Sequence, residues 1–350
     1  MSQRTLAALL AVPLVLAMLV AAAFTELPFA TYAPGPTVDV LDQPNGSETI
    51  AVRGVKTYRD EGQLRLTTVS VSPVGDRLSL PELMTAWWSD EEAVYPYDYV
   101  HPEDVSREED EREGAVSMVT SQDVAIANAL RALDYDVEPT LQVAFVVPDS
   151  PADGTLQVRD VLLRVNGREI TDPETMVRTI QRTPPGEQVT FLLERGGEQR
   201  TVRVTPREEE DGVVRVGFTP GQGFRYPFPV AVNIDPDIGG PSAGMIFALG
   251  IYDTLTEGSL TGGGAVAGTG TIDLEGAIGA IGGIQQKIAG AERDGADLFL
   301  VPADNCGDAA ALDDGSPRLV RVETFDDALS AVQAWAEDRG TDLPTCEEES

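Results

Sequence analysis

The longest apolar run is at the start of the chain. Leu6 to Phe24 contains Leu, Ala, Val, Met and one Pro, with no charge. About twenty apolar residues cross a bilayer as a helix, and a signal-peptide core is shorter, about 7–15 residues. Arg4 precedes the run and Glu26 follows it. That asymmetry predicts a cytoplasmic N-terminus and an extracytoplasmic remainder, with residues 1–28 as tip and transmembrane anchor. The rival reading is a cleaved signal peptide, with Ala21-Ala22-Ala23 as the small-residue site.

Beyond the run, period-two and helical patterns alternate. Residues 49–57 and 64–72 read as strands, and Leu80 to Trp88 has helical character. Together with an acidic linker they make up a segment 29–120. Ile126, Leu130 and Leu133 recur at helical spacing, with Ser121 as the expected N-cap. Val143–Val147 and Val161–Val165 read as strands, and Asn166-Gly167 signals a hairpin turn. Asp172-Pro173 starts a short helix to Thr183, and strands follow at 188–194 and 199–205.

From 213 onward the pattern is α/β. Strands are expected at 213–218, 230–234 and 298–301, a glycine-rich strand pair at 262–273, and helices at 242–255, 283–294 and 324–337. The fold class is therefore α/β (α+β), in units 121–207 and 213–340, with an acidic tail at 341–350.

Charge narrows the range of partners. The net charge of −33 argues against nucleic acid and anionic membrane surfaces, and fits a solubilising surface. Glu103 to Glu113 holds seven acidic residues, Glu208 to Asp211 four more, and the chain ends with Glu347 to Glu349. These runs read as solvated linkers and a tail. The two cysteines, Cys306 and Cys346, lack metal-site spacing. In an oxidising compartment they would pair and pin the tail, and otherwise they would be inert. No metal or other cofactor is expected.

Of the 25 basic residues only Lys56 and Lys287 are lysine, and His101 is the single histidine. A chain so rich in Arg keeps Lys where Arg cannot serve, because a buried Lys can lose its proton. Ile284, Lys287, Ile288 and Ala291 share one helical face, which places Lys287 inward and leaves Gln285, Gln286, Glu292 and Arg293 elsewhere. Ser242 lies in Gly239-Gly240-Pro241-Ser242-Ala243-Gly244, where glycine permits close approach and a helix start offers free N–H donors. Alone, that serine reads first as an N-cap, and the lysine as one that snorkels to the helix edge.

Two stretches carry a resemblance. "VVPDSPADGTLQVRDVLLRVNGREI" resembles the middle of a PDZ domain, departing from the pattern at Arg159, where that family usually has glycine. The resemblance implies binding of peptide C-termini or extended segments. The loop Leu133 to Val137, including Tyr135, is the candidate carboxylate site. "GGPSAGMIFALGIYDTLT" and "GTGTIDLEGAIGAIGGIQQKIAGAERDGADLFLVPADN" resemble the proteolytic domain of Lon proteases (peptidase family S16). That resemblance implies Ser242 as nucleophile, Lys287 as base and Thr269 as the residue orienting the amine, with Gly239 and Gly240 supporting. Many Lon proteins have Asp where this chain has Gly239, and Asp235 and Asp237 cannot be assigned its role. The order of anchor, PDZ and Lon-type domain resembles the membrane-bound PDZ–Lon-like, or YlbL-like, proteins of Gram-positive bacteria.

The expected function is a membrane-tethered, ATP-independent Ser-Lys serine endopeptidase acting on extracytoplasmic proteins. Neither lysine lies in a phosphate-binding loop. A homo-oligomer is implied by the resemblance alone. The alternative is a catalytically silent membrane-tethered scaffold that keeps the fold. Gly62 to Leu66 also resembles a segment that opens Lon-type domains. The protease domain would then be discontinuous around an inserted PDZ, and residues 64–72 should touch 214–234.

Overall fold

In the computed structural model, residues 3–102, 106–170, 172–184, 186–209, 212–312 and 317–346 are described. Parts of the acidic runs (103–105, 210–211 and 347–350) lie outside them. The described residues form a mixed α/β structure with two main sheets.

The first helix is Gln3–Ala23, with Pro13 inside it. Leu9, Val12, Leu14, Val15, Leu16, Met18 and Val20 on it are exposed. Its described side chains are those at 9, 11–18 and 20–22. Among the described residues no helix is long and apolar enough to cross a membrane.

One sheet is assembled from distant parts of the sequence. Gln63–Val71 lies at its middle, antiparallel to Phe29–Asp39 on one side and parallel to Ala265–Gly268 on the other. Leu298–Pro302 and Arg318–Val322 continue it in parallel. Ile50–Val52 pairs separately with Val230–Val232. Among the described residues, 64–72 form no strand pair with 214–234, although Leu64, Leu66, Val230 and Val232 share one core. The strand goes instead to 265–268, where Val266 faces Leu64 in register and both are fully buried.

The other sheet is made of Glu138–Val146, Val161–Val165, Val189–Arg195, Glu198–Val204 and Phe218–Arg225. Its core is Val143, Leu162, Val165, Phe191 and Leu193, closed by Met176 and Ile180 of the helix Pro173–Gln181. Asn166 and Gly167 turn at positive φ between Val161–Val165 and Arg168–Glu169, as a two-residue hairpin requires. Phe218–Arg225 belongs here, because it pairs with Glu138–Val146. The expected strand 213–218 is broken at Gly217, at φ 88°.

Residues 107–113 of the acidic run and the helix expected at Ser121 are one helix, Arg107–Ala132. Ser106 caps it in a capping box with Glu109, and Glu108, Glu109 and Asp110 sit in its first turn, where carboxylates are favoured by the helix dipole. Ser121 is therefore not an N-cap but a buried mid-helix residue. Val124 to Leu130 pack this helix into the same core as Met245 to Ile251, so it belongs with that core rather than with the neighbouring sheet's.

Candidate active site

The helix Gly244–Leu255 follows the glycine-serine loop, two residues later than expected. Met245, Ile246, Phe247, Ala248, Leu249 and Ile251 are all fully buried. A helix apolar on every side has no solvent face and is fixed by packing all round. Gly240 precedes it at φ 87°, a left-handed turn that glycine adopts without strain. The Gly240 N–H donates to Gly114 O at 3.1 Å, so the loop is tied to the long helix. Gly239 faces the Gly114 backbone. Ser242 follows, half-buried.

Lys287 comes from the helix Ile284–Arg293, whose start at Gly283 (φ 67°) turns the chain sharply inward. Ile284, Ile288 and Ala291 are buried with it, and Lys287 itself is 3% exposed. Gln286, expected away from this face, is also buried, because its amide donates to Glu91 O. The Lys287 Nζ lies 2.9 Å from Ser242 Oγ and 3.0 Å from Thr269 Oγ1. Burial pushes the amine down from its ordinary 10.5 to about 8.

Thr269 is fully buried, and its hydroxyl donates to Ser242 O at 3.0 Å. With that proton committed, Thr269 Oγ1 can only accept from Lys287. The neutral amine then spends an N–H on Thr269 and keeps its lone pair for the Ser242 hydroxyl. Gly270 N–H also donates to Ser242 O, at 2.8 Å, which fixes the serine backbone. Among the described hydrogen bonds, none uses Ser242 N–H or Ala243 N–H as donor. Two unused donors beside the serine, at a helix start, suit an oxyanion.

Ser242 and Lys287 open onto a cleft of about 550 Å³, lined among others by Thr67, Val69, Val71 and Met118. Asp235 and Asp237 are exposed on its rim. Thr67 to Val71 pair with the strand Phe29–Asp39, but Ala265–Gly268 covers the opposite side only up to Leu66. An unpaired strand edge therefore borders the serine. His101 takes no part, since its Nε2 is held by Ser72 O at 2.7 Å. Lys56 lies over the Tyr58 ring at 4.3 Å. Among the described residues, no cluster of His, Cys, Asp and Glu could hold a metal ion.

Residues 235–332 match the profile of the Lon protease (S16) C-terminal proteolytic domain. The chain carries a Lon-type serine peptidase domain. Residues 112–205 match a PDZ domain, so the chain carries that as well. Lon protease 2 of Bacillus subtilis is 33% identical over 105 residues, which are 30% of this chain and 18% of that protein. Lon protease 1 of Sorangium cellulosum is 38% identical over 97 residues, 26% of this chain and 11% of that one. The chain thus spans less than a fifth of the length of these curated relatives. The PDZ domain of the SdrC-like protein from Listeria innocua aligns at 18% identity over 23% of this chain and 92% of that one, with a TM-score of 0.22.

An apolar groove of the PDZ-type unit lies apart from the loop Leu133 to Val137. Leu133 caps the long helix, Tyr135 stacks edge-on against Phe228, and Val137 is buried in the protease-side core. The groove, of about 290 Å³, runs between the helix Pro173–Gln181 and residues 213–220. Val177, Ile180, Val214 and Phe218 line it together with Arg112 and Arg215, with no acidic residue among the described lining residues. Among the described hydrogen bonds, none uses Val216 N–H or Gly217 N–H as donor. In the sequence Val216-Gly217-Phe218 reads as part of a strand 213–218 rather than of this groove, and Gly217 at positive φ breaks that strand.

Proposed function

We propose that this chain is a membrane-tethered, ATP-independent endopeptidase in which Ser242 is the nucleophile and Lys287 the general base. The observation that carries the reading is the buried amine 2.9 Å from Ser242 Oγ. At a pKa of about 8, a useful share of the amine is neutral near physiological pH. The substrate strand pairs onto the open edge at Thr67 to Val71, which brings a peptide carbonyl to Ser242. Lys287 takes the hydroxyl proton, Ser242 Oγ attacks the carbonyl carbon, and the Ser242 and Ala243 N–H groups hold the oxyanion. Lys287 then gives its proton to the leaving amine, and water, deprotonated by Lys287, releases the acyl group. Cleavage of an unfolded protein should disappear in Ser242→Ala and in Lys287→Arg, since Arg cannot accept the proton. Full activity in Lys287→Arg would refute the base assignment.

The PDZ groove is the recruitment site for apolar C-termini, supported by its apolar lining, its two arginines and the unused Val216 and Gly217 N–H donors. An extracytoplasmic location is supported by the Cys306–Cys346 disulfide, which belongs to oxidising compartments. The exposed apolar face of Gln3–Ala23 supports a membrane anchor. Resistance to alkaline carbonate extraction tests the anchor, and release by that wash would exclude it. Self-association is part of the reading, and sedimentation of the detergent-solubilised chain checks it. We further assign residues 29–102, the helix Arg107–Ala132 and residues 226–346 to one protease unit, with the PDZ-type sheet inserted between the helix and residue 226.

A further inference from the structure

Arg159 is held at φ 68°, a left-handed conformation that disfavours every residue with a side chain except in special settings. It stands where PDZ-like sequences usually have glycine. Its side chain explains why a strained arginine is kept. Nε donates to Asp123 Oδ1 at 3.0 Å, and Nη2 donates to Gln122 Oε1 at 2.6 Å. Asp123 is 1% exposed, midway along the helix Arg107–Ala132. Gln142, from the PDZ-type sheet, donates to the other carboxylate oxygen, and Tyr226 Oη donates to the Asp123 carbonyl. Burial raises the Asp123 carboxyl, and Arg159 is the strongest group opposing that rise. The PDZ-type unit thus grips the long helix at 122–123.

The same helix holds the nucleophile loop. Ser121 Oγ donates to Pro241 O at 2.9 Å, Gly114 O accepts from Gly240 N–H, and Met118 lines the cleft. A Cβ on Gly244 would come within 2.9 Å of Ser121 Oγ, so the contact is close. The gripped residues and the loop-holding ones lie within a few turns of one rigid helix.

We propose that Arg159 is a positioning residue for the peptidase site: through Asp123 it sets the long helix, and through Ser121 and Gly114 it keeps Ser242 within reach of Lys287. This rests on the protease reading above. Arg159→Gly relieves the strained backbone but leaves the buried Asp123 carboxylate without its cation, so a purely structural role predicts lower stability with kcat of the folded protein unchanged. The test uses the full chain and a short fluorogenic peptide blocked at both ends, too small to need the PDZ. The expected result is a fall in kcat of about tenfold with little change in KM, as misplacement of a reacting group produces. Amide hydrogen exchange across residues 238–244 should speed up in the same variant. Ser121→Ala, which leaves the ion pair in place, should lower kcat in the same sense and serves if Arg159→Gly does not fold. Unchanged kcat in folded Arg159→Gly, or unchanged exchange at 238–244, overturns the proposal. If the wild-type chain itself cleaves nothing, the protease reading fails, and the exchange arm still decides whether Arg159 holds the loop.

Discussion

Replacing Lys287 with methionine should abolish cleavage and yet stabilise the fold at neutral pH. The amine is buried, and burial takes its pKa from 10.5 to about 8. The folded pKa lies below the unfolded one, so between about pH 8 and 10.5 the unfolded chain binds more protons. Stability then rises with pH through that window and is lowest below it. At 1.36 kcal/mol per pH unit, the cost of burying Lys287 at pH 7 is about 3 kcal/mol. Methionine fills similar space without the charge. It also loses the bonds to Ser242 and Thr269, about 1 kcal/mol each. The net effect is a gain of about 1 kcal/mol at pH 7, turning into a loss of about 2 kcal/mol above pH 10.5. Urea unfolding of wild type and variant at several pH values gives the difference directly, because groups common to both cancel. A difference that stays constant from pH 7 to 10.5 would show that Lys287 is not titrating in the folded site, and the base assignment would lose its physical ground.

Other outcomes follow from the same geometry. kcat/KM for a small peptide should climb with pH through about 8, since only the neutral amine accepts a proton; a flat profile between pH 6 and 10 would contradict this. Thr269→Val should lower kcat by about tenfold or more, with Thr269→Ser recovering most of it, because the hydroxyl rather than the bulk orients the amine. Cys346→Ser opens a 40-residue loop and should cost about 2–4 kcal/mol in urea denaturation, and a variant as stable as wild type would contradict this. Val177→Asp places a carboxylate in the groove between Pro173–Gln181 and 213–220. It should weaken binding of a peptide with a free apolar C-terminus by at least about tenfold in fluorescence anisotropy, and equal binding would move the recruitment site elsewhere.

By itself, the sequence determined what depends on near neighbours. Helical spacing placed Lys287 on a buried face, because residues three and four apart share a side whatever they pack against. Asn166-Gly167 gave its hairpin, and the motifs around Ser242 and Thr269 named the family of the domain. Helix spacing failed where one half of a helix meets water. The residues from Arg107 to Glu113 show no apolar stripe, so the long helix read as a linker followed by a shorter helix. The tertiary structure alone decided what depends on chain ends meeting across long separations. It paired Gln63–Val71 with Ala265–Gly268, set Val216-Gly217-Phe218 against Pro173–Gln181, and carried Asp123 to Arg159. It also brought Lys287 Nζ to 2.9 Å from Ser242 Oγ. Such contacts form because burying apolar faces outweighs the entropy of closing long loops, and local pattern does not record which distant face will be met.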